Sequence, residues 1–167
     1  MNGFEVGRGF QEARVLALVE RREDALALLD QVLAAVPNHL GALVLRSDVL
    51  CALGRPGEAL VYAREAVQGW PTAAVAHSAL ARCLEALGQA PEALQAAQES
   101  RRLLAGAEPG EAAVVFATLV GCLRHARLFR EALAAALEGH ERTGDAILAE
   151  WAVEIEQELA AAERERC

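Results

Sequence analysis

Apolar residues recur along the chain at intervals of three and four, the spacing that lines one face of a helix. The pattern predicts nine helices, over 8–20, 22–36, 39–53, 56–69, 73–87, 90–105, 110–126, 129–143 and 145–164. Gly54 and Gly88 fall where a helix stops and a left-handed cap is needed. Pro56 and Pro91 follow within three residues, in the first turn of the next helix, which tolerates proline. Pro37 and Pro71 close the second helix of their units. Each unit therefore reads as helix, tight turn, helix, loop. In the last helix Leu148, Trp151, Ile155 and Leu159 form the apolar stripe, with Glu150, Glu154, Glu156 and Glu158 mostly elsewhere.

The same units recur in register. Glu23-Asp24-Ala25-Leu26, Gly57-Glu58-Ala59-Leu60, Pro91-Glu92-Ala93-Leu94 and Arg130-Glu131-Ala132-Leu133 are alike, and their alanines lie 34, 34 and 39 residues apart. Pro37 with Pro71, and Gly54 with Gly88, repeat at the same interval of 34. The five extra residues before the fourth block fall in the segment 105–110, and a longer loop there keeps the register. The chain is thus expected to be one domain over 1–167. Its repeats are expected at about 6–37, 40–71, 74–107 and 113–144, with a capping helix over about 145–164.

Composition strengthens the helical reading. The chain has 37 Ala and 25 Leu against 2 Ile, 3 Thr and 1 Tyr, so strand formers other than Val are scarce. All 16 basic residues are Arg, and 24 acids bring the formal charge to −8. That balance argues against a nucleic-acid partner and against an anionic membrane surface. No uninterrupted apolar run suits membrane insertion, and the opening residues MNGFEVGRGF lack the regions of a secretory signal.

Set against these landmarks, the chain resembles the tetratricopeptide repeat family, whose units are 34 residues long. That family places small residues at unit positions 8, 20 and 27, glycine near 15 and proline at 32. With each block alanine at position 20, position 8 holds Ala13, Ser47, Ala81 and Val120, and position 27 holds Val32, Ala66, Ser100 and Gly139. Position 15 holds Glu20, Gly54, Gly88 and Arg127, and position 32 holds Pro37, Pro71, Ala105 and Gly144. Units one and four thus depart from the glycine pattern, and units three and four from the proline. The bulky position 4 is aromatic only at Phe116, with His77 in unit three. The resemblance covers roughly 6–144 and implies an all-α fold: a right-handed superhelix of antiparallel helix pairs. It also implies close helix packing at Ala59 and Ala93, and room for a larger residue at Ala63.

Chemistry beyond packing is sparse. Cys51, Cys83, Cys122 and Cys167 lack metal-ligand spacing, as do His39, His77, His125 and His140. The expectation is therefore no metal and no cofactor. Cys83 and Cys122 share unit position 10 and read as structural thiols, Cys51 as partly exposed in a groove, and a reduced cytoplasmic setting fits all of them. No nucleophile motif, phosphate loop or dinucleotide fingerprint occurs, and His125 with Cys122, one turn apart, is the one pairing that hints at a dyad. The chain is expected not to be an enzyme.

In the family, ligands lie on the inner surface, lined by the first helix of each unit. Carried over, those positions give a groove of Phe10, Arg14, Val44, Asp48, Cys51, Ser78, Arg82, Glu85, Ala117, Gly121, Arg124 and His125, with Ala17, Leu18, Ala52, Val75, Ala86 and Val114 beside them. Its three arginines are expected to meet acidic groups of a peptide or protein segment. The lysines and asparagines by which some members hold chaperone tails are absent. The functional expectation is an adaptor that binds a protein segment in this concave groove. The alternatives are a chaperone like those of type III secretion, and a self-assembling scaffold, including a homodimer through the last helix.

Overall fold

A computed structural model describes residues 3–104 and 108–164. Among the described residues all regular structure is helical: α1 (Gly3–Leu18), α2 (Arg22–Ala35), α3 (Leu40–Ala52), α4 (Pro56–Gly69), α5 (Ala74–Ala86), α6 (Ala90–Arg102), α7 (Pro109–His125), α8 (Phe129–Thr143) and α9 (Ala146–Arg164). Each odd helix up to α7 packs on the even helix that follows it. The first helices α1, α3, α5 and α7 neighbour one another in that order, and α9 closes on α7 and α8. The fold is an all-α solenoid of helix pairs.

The small positions explain the stack. Ala13, Ser47, Ala81 and Val120 are wholly buried, as are Ala25, Ala59 and Ala132, with Ala93 all but buried. Val32, Ala66 and Ser100 are buried to the same degree. A side chain reduced to a methyl group lets two helix axes approach closely. Gly139 takes this furthest: a Cβ there would lie 2.7 Å from Cβ of Phe116 and 2.8 Å from Cδ1 of Leu148. The one aromatic at unit position 4 is thus seated against the one glycine at position 27. Ala63, however, is as deeply buried as Ala59. It belongs to the core cluster that joins α3, α4 and α5.

The turns inside the units are alike even where the glycine is missing. Gly54 and Gly88 adopt φ of +73° and +74°, and Glu20 and Arg127 adopt +61° and +58° at the same unit position. In every unit the second residue of the turn reaches back five residues: the N–H groups of Arg21, Arg55, Gln89 and Leu128 donate to the carbonyls of Leu16, Leu50, Leu84 and Leu123, each at 2.9 Å. Those bonds satisfy carbonyls in the last turn of the first helix. They hold two non-glycine residues in a conformation that crowds Cβ. Gly144, at the position of the missing proline, ends α8 with φ +70°.

The element limits differ from the sequence reading mainly at the start. α1 begins at Gly3 rather than residue 8, because Val6 is buried with Ala13, Leu29, Val32 and Ala42 and recruits the glycine-rich segment into the helix. α6 ends at Arg102. Ala105 and Cys167 lie outside the described residues. No described helix is long and apolar enough to cross a membrane. The C-terminal helix buries Leu148, Ala152 and Ile155 and packs Trp151 partly against the same core. Its apolar stripe is therefore spent on capping the stack.

Candidate binding groove

Residues at one position in successive units stand side by side, so charges 34 apart in sequence meet. Arg82 is the clearest case. Its Nε and Nη2 donate to Oδ1 of Asp48 at 3.0 and 2.7 Å, and its Nη1 donates to Oγ1 of Thr118 at 3.2 Å. One guanidinium on α5 thereby ties α3 to α7. Arg124, on α7, pairs with Glu154 and Glu158 of α9, and the hydrogen bond to Glu158 leads in pushing its pKa up. His125 pairs with Glu85 across α7 and α5. Away from this face Arg46, its side chain mostly buried, pairs with Asp30 and lies 4.5 Å above the Tyr62 ring. Arg101 likewise joins Glu138 across the second helices.

The expected groove is therefore corrected in part. Arg82 and Arg124 do line the first-helix face, but their charges are answered by this chain's own carboxylates. Asp48 is the partner of Arg82, not a free negative charge. Ser78 is wholly buried, sharing a 2.8 Å hydrogen bond with Ser100, whose hydroxyl also meets the carbonyl of Ala74 at 2.7 Å, so it touches no solvent. Phe10 is wedged over Gly41 and against the His39 ring, centroids 4.9 Å apart, and serves the α1–α3 packing. Val44, Cys51 and Ala117 are half-buried beside the core.

Arg14 differs. Among the described residues it meets no carboxylate and makes one 3.1 Å bond to Gln11. It borders a cavity of about 300 Å³ between α1 and α3, lined also by Ala17, Leu18, Arg22, Leu45, Asp48, Val49 and Ala52. Five of these eight are expected groove residues; Arg22, Leu45 and Val49 are not. Leu18, 81% exposed, forms its lip. At the opposite end Gly121, Arg124, His125, Arg127, Phe129, Trp151 and Glu158 line a cavity of about 570 Å³. There the basic side chains already have partners: Arg127 lies 5.9 Å from the Phe129 ring, Arg124 holds Glu158, and the His125 ring meets Glu85.

The remaining polar chemistry serves structure. His39 caps α3 by accepting the Ala42 N–H at 3.1 Å, and His77 and His140 hydrogen-bond the carbonyls of Pro71 and Asp145, both at 2.9 Å. His125 turns to Glu85 and not to Cys122, and burial pushes the Cys122 thiol up to about 12, away from thiolate character. Among the described residues no group of three His, Cys, Asp or Glu side chains is placed to hold a metal ion.

Residues 50–102 match the tetratricopeptide repeat family model. That segment, a third of the chain, carries the tetratricopeptide repeat, and the same register extends through all four helix pairs. A thermophilic tetratricopeptide repeat protein of Thermus thermophilus superposes with a TM-score of 0.77 at 19% identity, over 88% of this chain and 79% of the other. PilF of Pseudomonas aeruginosa gives 0.78 at 17% identity, over 96% and 70%. The type III secretion translocator chaperone SycD of Yersinia enterocolitica gives 0.65 at 14% identity, over 75% and 96%. At these identities the likeness is one of fold. No curated protein matches the chain by sequence.

Proposed function

We propose that the chain is a non-catalytic protein-interaction module, its four repeats and cap acting as one unit, which docks a segment of a partner at the N-terminal end of its first-helix face. The observation that carries this reading is the α1–α3 cavity. It combines an apolar floor of Ala17, Leu45, Val49 and Ala52 with an arginine, Arg14, that meets no carboxylate among the described residues, since Asp48 at the cavity's edge is held by Arg82. An apolar side chain followed by an acid suits it: the first fills the cavity and the second meets the guanidinium in a charge-assisted bond. Free thiols at Cys51, Cys83 and Cys122 support a reducing, cytoplasmic setting.

Selection of displayed random peptides against the folded chain tests this. The enriched peptides should carry Asp or Glu beside Leu, Met or Phe. Arg14→Glu should weaken them about tenfold or more, equivalent to about 1.4 kcal/mol, and less so as salt rises. Arg124→Glu should change the affinity by less than about twofold, since that charge is already answered. Peptides that bind Arg14→Glu as tightly as the parent would sink the proposal.

A second reading has its own observation. Phe4, Val15, Leu18 and Val19 are all more than half exposed on the outermost helix and the residue after it. Such a row favours self-association at the N-terminal end over a homodimer through α9, whose Trp151 is engaged. Light scattering on the parent and on Leu18→Glu decides it: a parent dimer that the variant dissociates supports this reading, and a monomeric parent removes it. The chaperone alternative rests on the fold shared with SycD, and would show as a stoichiometric, groove-bound secretion substrate.

A further inference from the structure

Unit position 12 of one first helix stands against position 10 of the next. Between units one and two that juxtaposition sets Ala17 near Val49, and between three and four it sets Glu85 near Cys122, whose thiol feels the Glu85 charge. Between units two and three it brings together two thiols. Sγ of Cys51 on α3 and Sγ of Cys83 on α5 lie 3.5 Å apart, in contact and unbonded. Cys51 is half-buried and reaches solvent on the groove side, whereas Cys83 is wholly buried beneath it. We propose that Cys51 and Cys83 are an oxidation site, at which a hydroperoxide converts the two thiols to a disulfide that clamps α3 to α5.

The two cysteines have distinct roles. Cys51 is the one a small oxidant can reach. The Cys51 thiol donates to Cys83 Sγ; once Cys51 is ionised the Cys83 S–H can donate back, which favours the thiolate, and the nearby Arg82 guanidinium adds to this against the effects of burial and Asp48, so the Cys51 pKa is lowered. The hydrogen bond to Cys51, with burial, raises that of Cys83, which stays protonated until it reacts. The Cys51 thiolate attacks one peroxide oxygen: an S–O bond forms, the O–O bond breaks, and hydroxide leaves and is protonated to water. Cys51 is then a sulfenic acid. The Cys83 sulfur attacks Cys51: the S–S bond forms, the S–O bond breaks, and the departing hydroxide takes the Cys83 proton. Two thiols and one hydroperoxide thus give one disulfide and two waters when the oxidant is hydrogen peroxide. Sulfur–sulfur separation has to fall to about 2.05 Å, a short closure for two helices already packed together. Cys122, buried and with its pKa raised to about 12, is the internal control.

The experiment treats the reduced, folded chain with hydrogen peroxide, blocks remaining thiols with iodoacetamide and digests after arginine. Peptides Ser47–Arg64 and Cys83–Arg101 should appear joined, about 2 Da lighter than their sum, and separate on reduction. Thiols counted after unfolding in urea should fall by two. Cys122→Ser should give the joined peptide as the parent does. Cys51→Ser and Cys83→Ala, both checked for native helicity, should lose it. Joined peptides through Cys122 or Cys167 alone would overturn the proposal. So would sulfinic acid at Cys51 with Cys83 still a thiol, or no reaction at a peroxide dose that oxidises the urea-unfolded chain.

Discussion

The two ends of the solenoid are built from one repeat and finished differently. At the C-terminal end α7 buries eight residues from Ala112 to Leu123, and α9 lies over the last pair. At that end Arg124 is held by Glu158 and Glu154, and the His125 ring by Glu85. At the N-terminal end α1 buries Val6 and Ala13 alone, exposes Phe4, Val15 and Leu18, and carries Arg14, which meets no carboxylate among the described residues, the nearby Asp48 being engaged by Arg82. The difference teaches where a ligand gains most. A charge already paired at home has to lose one partner to gain another, so the exchange yields little. An unpaired arginine beside an apolar cavity gives both terms at once.

The largest test of this contrast is in the packing. Gly139→Ala places a methyl group within 2.8 Å of Phe116 and Leu148, whose own positions are fixed by the cap. It should destabilise the fold by about 1–3 kcal/mol, the usual cost of overpacking. Gly41→Ala also meets a ring, with Phe10 Cζ at 2.6 Å, but Phe10 is only half-buried and can swing outward. Its cost should stay below about 1 kcal/mol, because helix propensity gained at the glycine offsets part of it. Urea unfolding of both variants checks the pair, and equal losses would mean that the ends are packed alike.

Next in size is the electrostatic contrast. Arg82→Ala removes the tie between α3, α5 and α7 and leaves Asp48 partly buried without its cation. A loss of about 1–2 kcal/mol is expected. Arg14→Ala should stay within about 0.5 kcal/mol of the parent, as surface changes do. Thermal unfolding distinguishes them; a large loss at Arg14 would reveal a structural partner for it.

The smallest effect concerns the turns. Glu20→Gly should stabilise the chain by about 0.5–1 kcal/mol, since a left-handed non-glycine residue costs about 1–2 kcal/mol and the greater chain entropy of glycine when unfolded cancels part of the gain. Arg127→Gly should gain less, because it also gives up the Phe129 ring contact. Calorimetry of the two variants checks the order, and a loss of stability at Glu20 would contradict the account of the turn.

Much of the fold is legible in the sequence for a physical reason. Close helix contacts admit only small side chains, so Ala25, Ala59, Ala93 and Ala132 have to recur in register, and the helix pairs follow. What stays hidden are contacts between units. Asp48 and Arg82 occupy one position of successive units, and that spacing of 34 is itself the signal that they neutralise each other. Taken one helix at a time, groove positions look independent, and Arg82 then looks free for a ligand. Ser78 misleads for a related reason: its hydroxyl looks solvent-seeking until Ser100 of the same unit supplies a buried partner. Glu20 and Arg127 look like departures from the repeat, yet the backbone bonds on either side enforce the same turn.

Amide chemical-shift mapping tests the contrast between the ends most directly. A display-selected peptide carrying an acid beside a large apolar residue is titrated into the isotopically labelled chain. The account predicts the largest shifts at Arg14, Ala17 and Leu18 of α1 and at Asp48, Val49 and Ala52 of α3, with α7 and α9 little changed. Shifts centred on Arg124, His125 and Trp151, or spread over the second helices, would contradict it.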